Sequence, residues 1–324
     1  MGLRFAMVTD THVGLHPASA QRLGQVYTAI ARLAPDFVLH CGDVTDTGLP
    51  GEYERYRQAV PAALRGRIRH VPGNHDVRWD PSAKGRYRAE FGAAPYSFDA
   101  GGVHVAGFDL TQPLLEPGHC GAAALSWLDR DLAAATGPAL LFQHFPVGGG
   151  HDYVDDQAAL LELIARHDVR AVVAGHVHRE TVTRPGRLTQ LTLRAVLAEP
   201  VFYWADLDPG PALGVSRVTV AADGTLARAP VATIPLSGRR PPPAISAACR
   251  LGRPTQRPAA LSSCHTVIYR HLFRLQESIS QFEVAQDISI RYYVRQDQGQ
   301  VQSQFPERMV VHAVGTGSCG RWVG

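Results

Sequence analysis

The chain is short of several things, and each shortage removes a class of protein. Its five cysteines, Cys41, Cys120, Cys249, Cys264 and Cys319, are odd in number and form no Cys-x-x-Cys pair. That pattern suits neither a disulfide framework nor a thiolate zinc site, so any metal would have to be held by nitrogen and oxygen. No apolar run approaches the roughly 18 to 20 residues that a membrane span needs. The N-terminus is too short and too soon charged, at Arg4, to read as a signal peptide. Lys84 is the single lysine among 32 basic residues, and a net charge of +3 implies no strong field for nucleic acid or an anionic membrane. Apolar residues at 45% and charged residues at 19% exclude wholesale disorder. The expectation is a cytoplasmic enzyme with a small-molecule substrate, no membrane span and no nucleic acid polymer as partner.

What the chain does have is a series of short apolar runs, at 3–8, 36–40, 67–71, 103–108, 139–142 and 169–174. Each is strand-sized and continuous rather than alternating, which suits strands covered on both faces. Between them, Leu23, Val26, Ile30 and Leu33 recur at helical spacing, as do Leu160, Leu161 and Ile164. Repeated strand–helix–strand units predict an α/β fold with a largely parallel sheet. Residues 96–110 read instead as two strands about Gly101-Gly102, and 215–220 with 225–234 as a second hairpin, so mixed sheets are expected.

The character changes near residue 238. Arg239-Arg240-Pro241-Pro242-Pro243 is a linker-like break, and Gln becomes frequent beyond it. The expected division is a catalytic domain over 1–236 and an atypical extension over 237–324. Val267, Ile268, His271, Leu272, Leu275, Ile279 and Phe282 would line one helical stripe, and Ile288 to Val294 alternate like a strand. The extension could be a cap or a homodimerisation element; it could equally be unordered, or an out-of-frame translation.

The chemistry gathers where predicted strands end. The first runs into Asp10-Thr11-His12, the second into Gly42-Asp43, and the third into Gly73-Asn74-His75-Asp76. Two later strands run into His144 and into Gly175-His176-Val177-His178. In open α/β sheets, ligands bind beyond the carboxyl ends of the strands. Singly these signals are weak: about one Asp-x-His is expected by chance, and a lone strand-end Asp is more often a cap or turn residue. Five in series are not chance. Carboxylate, amide-oxygen and imidazole donors without thiolate describe a hard-to-borderline site for two cations. Gly42, Gly73 and Gly175 stand where close backbone approach is wanted.

The ordered series Asp10-x-His12, Gly42-Asp43, Gly73-Asn74-His75-Asp76, His144 and Gly175-His176-x-His178 resembles the calcineurin-like metallophosphoesterase superfamily. Within it, the chain is most similar to bacterial phosphodiesterases of the cyclic-nucleotide (class III) and glycerophosphodiester type. The resemblance spans about residues 3–234 and implies a four-layer α/β/β/α sandwich. It implies one metal held by Asp10, His12, Asp43 and His178, and a second held by Asp43, Asn74, His144 and His176. The two divalent or trivalent ions could be iron, manganese, zinc or cobalt. A hydroxide held between them would attack phosphorus, with His75 at the substrate phosphate and Asp76 orienting His75. Ala174 stands where the family usually has Cys or Ser, a change that touches no ligand. Hydrolysis of a small phosphodiester is the function implied. The same site would also serve a phosphomonoesterase or a nucleotide or lipid pyrophosphatase, or, with its chemistry lost, a binding scaffold.

Other residues carry weaker signals. Arg78 and Arg179, just past ligand motifs, could hold a phosphate, as easily as form solvated ion pairs. His119 and His151 lie in Gly-containing loops that could rim the pocket. The glycine run at 148–150 lacks the Lys and flanking pattern of a phosphate loop. His40 and Cys41 read as packing residues, and Tyr203 and Trp204 as core or pocket wall.

Overall fold

Strand β1 (Leu3–Val8) is buried at every position but one, and its two faces meet different neighbours. Phe5 and Met7 point one way, packing with Phe37, Leu39, Val105, Phe142 and Val173. Ala6 and Val8 point the other way, against Leu23, Val26, Tyr27 and Ile30 of helix α1 (Pro17–Leu33). Side chains alternate across a strand, so a continuous apolar run needs a partner on each face. That requirement builds the layers.

The computed structural model describes residues 2–148, 153–207, 210 and 212–237. The elements after α1 are β2 (Phe37–His40), α2 (Pro50–Ala59), β3 (Ile68–His70), α3 (Asn74–Val77), α4 (Ala83–Phe91), β4 (Tyr96–Ala100) and β5 (Val103–Gly107). Then come α5 (Gly121–Ala134), β6 (Ala139–Phe142), α6 (Gln157–Arg166), β7 (Val169–Ala174), β8 (Thr181–Thr183), β9 (Thr189–Thr192), β10 (Val201–Leu207), β11 (Ala212–Val220) and β12 (Leu226–Pro235). One sheet runs β12-β11-β10-β1-β2-β3, the other β4-β5-β6-β7-β9-β8. β1, β2 and β3 are parallel, as are β5, β6, β7 and β9; the outer pairs are antiparallel.

The sheets pack face to face through the Phe5 and Phe142 cluster. On the far side of the second sheet, α5 and α6 bury Leu128, Leu132, Leu160, Leu163 and Ile164 against Leu141 and Val172. Four layers result, α/β/β/α. The Gly-Gly hairpin forms as read: Gly101 and Gly102 take φ of 57° and 79°, and β4 pairs antiparallel with β5. The second hairpin is β11–β12. Strands β8, β9 and β10 were not among the expected runs, although the apolar, aromatic start of β10 at Val201 carries a strand signal. Tyr203 and Trp204 belong to β10 and are core, the Tyr203 hydroxyl donating to Glu180 at 2.8 Å. Of the extension expected over 237–324, all but residue 237 lies outside the described residues. Among the described residues, no helix is long and apolar enough to cross a membrane.

Candidate metal centre

The carboxyl ends of β1, β2, β3, β6 and β7 come together, and the backbone there is strained. Among the described residues, seven other than glycine have φ in the left-handed region. Five of them are Asp10, His12, Asp43, His176 and His178, with φ of 52°, 39°, 50°, 67° and 55°. Such conformations cost of order 1 kcal/mol each and persist where the surroundings over-determine them, which is characteristic of functional sites. Loop-to-loop hydrogen bonds do the holding: Asp10 N–H donates to Gly42 O at 3.0 Å, Thr11 N–H to Asp43 O at 2.9 Å, and Gly175 N–H to His144 O at 2.9 Å. Two glycines are set by close approach. A Cβ on Gly73 would overlap Asp43, and one on Gly175 would overlap Thr9 and Asp10.

Two sets of donor atoms converge and share one oxygen. In the first, His12 Nε2 lies 3.4 Å from Asp43 Oδ2 and 3.4 Å from His178 Nε2, and His178 Nε2 lies 3.2 Å from Asp10 Oδ1. In the second, His144 Nε2 lies 3.3 Å from the same Asp43 Oδ2 and 2.9 Å from Asn74 Oδ1, which is 3.2 Å from His176 Nδ1. Donors bound about 2.1 Å from a common ion stand about 3.0 to 3.4 Å apart at octahedral or tetrahedral angles. The spacing fits two cations.

The tautomers fit as well. His144 Nδ1–H donates to Cys41 O at 2.9 Å, and His12 Nδ1 faces Asp46 Oδ1 at 3.1 Å. Each ring is thereby left to present Nε2 to the cluster, the usual arrangement of a ligating histidine backed by an outer acceptor. Lone pairs on His12, His144, Asn74 and Asp43 then face one another, which is repulsive without a proton or a cation between them.

Charge makes the same case. Asp10 is 0% exposed, Asp43 2% and His144 1%. Burial opposes ionisation of Asp10 and Asp43, yet the neighbouring histidines overcome it and hold both carboxyls below the usual range. Burial would lower His144, but the charge and hydrogen bond of Asp43, with the Asp10 charge and the Cys41 carbonyl, together take it up to about 9. His176, buried and close to His144, is pushed down to about 4. Without a metal ion, a proton on His144 supplies the positive charge that the carboxylates demand.

Two expected relationships come out differently. Asp76 does not orient His75. Its carboxylate turns back on its own helix N-terminus and the adjoining loop, accepting from Gly73 N–H at 2.9 Å, Thr45 N–H at 2.9 Å and Thr45 Oγ1 at 2.8 Å. Burial, with the Asp43 charge nearby, raises its pKa to about 6. Asp46 takes the place beside His75: Nδ1 of His75 is 3.0 Å from Asp46 O and 3.1 Å from its Oδ1. His119 pairs instead with Asp155, at 2.7 Å, and Asp156, a cluster separate from the centre. Arg78 does reach the site, its NH2 donating to His75 Nε2 at 3.1 Å. Arg179 is exposed, with its carbonyl accepting from Thr192 Oγ1. His151 lies outside the described residues. His40 packs in β2 with Nε2 3.2 Å from Thr11 Oγ1, and Cys41 is buried beside it.

Sequence reading missed three contributors. Asp46 backs both His12 and His75; Glu116 accepts from Asn74 Nδ2 at 3.1 Å; Trp79 lies edge-on to His75 and under the Arg78 guanidinium. Asp46 sits three residues past Asp43 and could have been marked from that spacing. Glu116 carried no local signal.

The profile of the calcineurin-like phosphoesterase family matches residues 3–180. The chain belongs to that family. As a calcineurin-like phosphoesterase it is a hydrolase, and its two mixed sheets with flanking helices are the family's fold. It is 31% identical over 209 residues to a probable cyclic nucleotide phosphodiesterase of Synechococcus sp., covering 59% of this chain and 79% of that one. It is 29% identical over 244 residues to a cAMP/cGMP dual specificity phosphodiesterase of Mycobacterium tuberculosis, covering 68% and 71%. Among solved structures, a dimetal phosphatase from Danio rerio superposes with a TM-score of 0.57 at 17% identity, over 72% of this chain and 99% of that one, a likeness of fold.

Proposed function

We propose that this phosphoesterase hydrolyses small phosphodiesters, cyclic nucleotides or glycerophosphodiester-like compounds, at a two-cation centre. Asp10, His12, Asp43 and His178 hold one cation; Asp43, Asn74, His144 and His176 hold the other. The observation that carries this reading is the shared Asp43 Oδ2, 3.4 Å from His12 Nε2 and 3.3 Å from His144 Nε2. Nitrogen and oxygen donors suit iron, manganese, zinc or cobalt. Bound there, two such cations supply an activated water as nucleophile and draw charge off the phosphoryl oxygens.

The chain's own groups do the remainder. Asp46 accepts the hydrogen bond of His75 Nδ1–H, so Nε2 is the atom turned towards the substrate. Burial lowers the pKa of His75, but the hydrogen bond to Asp46 together with the charges of Asp43 and Asp46 outweighs it, and the net shift is upward. With substrate bound and the Arg78 guanidinium turned to a phosphoryl oxygen, Nε2 is released from its hydrogen bond with Arg78 and can carry the proton that passes to the departing alkoxide, as general acid catalysis requires. Arg78, in contact with that nitrogen, lies where it can hold a phosphoryl oxygen.

The test is hydrolysis of a chromogenic phosphodiester against its matching monoester, by protein stripped with chelator and reloaded with manganese. Metal-dependent preference for the diester is expected. Preference for the monoester would overturn the substrate class and leave the centre standing.

A further inference from the structure

We infer that Glu116 is a positioning residue for the second cation position, because it decides which end of the Asn74 amide faces the centre. The inference rests on Asn74 serving as a donor in the reading above. The two ends of an amide are nearly the same size, but only the oxygen offers lone pairs to a cation. Asn74 is 1% exposed at the start of α3, with His144 Nε2 and His176 Nδ1 at 2.9 and 3.2 Å from its Oδ1. Turned by half a rotation, the same side chain would present its NH2 group and the centre would lose a donor.

Glu116 Oε1 sits 3.1 Å from Asn74 Nδ2 on the side away from those histidines. An ionised carboxylate only accepts, so it binds the NH2 end and would repel the oxygen of a flipped amide. The carboxylate is itself held. Its Oε2 forms an ion pair with Arg78, whose NH2 donates to His75 Nε2 at 3.1 Å. The loop that delivers Glu116 lies between β5 and α5, and is closed at its base. There His119 N–H donates to Leu110 O, and Gly118 N–H to Tyr153 O, both at 2.7 Å. Glu116 is half-exposed, and an exposed ion pair alone would hold it weakly. With both oxygens engaged and the loop tied down, it is placed to act on Asn74.

The experiment is manganese binding to the chelated full-length protein, followed by calorimetry and by the electron paramagnetic resonance of the bound ions. Glu116→Ala should weaken the second ion about 10- to 100-fold, the range expected when an outer partner of a ligand is lost. The first ion should bind as before, which also reports that the variant is folded. Glu116→Gln keeps an acceptor for Asn74 and should retain most of the affinity. In an Asn74→Ala background, Glu116→Ala should add no further loss. Unchanged binding in Glu116→Ala, with Asn74→Ala weakened, would overturn this inference and leave the two-cation reading intact. Equal losses in the Ala and Gln variants would also overturn it, because charge and not amide orientation would then be the cause. Unchanged binding in Asn74→Ala would overturn both.

Discussion

The core between the sheets and the floor of the centre above it are equally buried, and they obey opposite rules. Along β1, Phe5 and Met7 are about 1% exposed, packed among apolar neighbours in ordinary extended backbone. A few residues on, Asp10 and His12 are as deeply buried, but are polar and left-handed. Apolar burial stabilises a fold by about 25 cal/mol per Å² removed from water, whereas buried charges and positive φ cost stability unless they are paired. The first region therefore supplies the free energy that holds the second in place.

Substitutions should separate the two regions cleanly. Asp43→Asn keeps a residue that tolerates left-handed backbone but removes the shared carboxylate. Cation binding should fail, and diester turnover should fall on the order of 10⁴-fold, while the chelated protein still folds around an intact apolar core. Phe5→Ala should do the reverse. Phe5 stacks on Phe37 with ring centroids 4.8 Å apart, and its loss should cost about 3 to 5 kcal/mol of stability while the folded fraction still binds two cations. If Phe5→Ala abolished cation binding in folded protein, the division between the regions would be wrong.

A smaller effect concerns pH at the centre alone. Without metal, His144 keeps its proton up to about 9, and a cation can bind only by displacing that proton. Cation affinity should thus rise with pH by about tenfold per unit, for one displaced proton, and level off above about pH 9. Manganese titrations at several pH values read this directly. A flat profile would mean that the Asp43–His144 pair is not the acceptor.

The smallest effect lies outside the centre. His104 of β5 meets Asp131 of α5 at 2.9 Å and Asp99 of β4 at 2.8 Å. Burial lowers its pKa, but the hydrogen bonds to Asp131 and Asp99 prevail and the net shift is upward. A histidine raised above its unfolded value of about 6.5 stabilises fully below that pH, and the contribution fades as pH rises through the folded pKa. Asp99 is 70% exposed, so the effect is modest. The denaturation midpoints of wild type and His104→Gln should converge as pH rises, with cation affinity equal in both.

How much could be read from the chain depends on the range of each interaction. The apolar runs, the Gly101-Gly102 turn and the strand-end Asp, Asn and His residues are local patterns, so the α/β class, the mixed strands and the donor types were legible, while the four-layer arrangement followed from the family resemblance. Asp76 shows where locality misleads. It follows His75 in sequence, yet a single helical turn points it back to Gly73, and Asp46 arrives from another loop to meet the ring. Strands β8 and β9 carry short, polar patterns, Thr-Val-Thr and Thr-Gln-Leu-Thr, that become strands by pairing with each other and with β7.

The order and chemical type of the donor residues, and the need of each apolar strand for cover on both faces, were determined by the sequence itself, because periodicity and strand-end position are properties of neighbouring residues. The sharing of Asp43 Oδ2 between two donor sets, the backing of His75 by Asp46 and the hold of Glu116 on Asn74 were decided by tertiary structure. Each is a contact of 3 to 4 Å between residues about 30 to 100 positions apart. Only the packing of two sheets, with their strand ends on one side, brings such residues within reach.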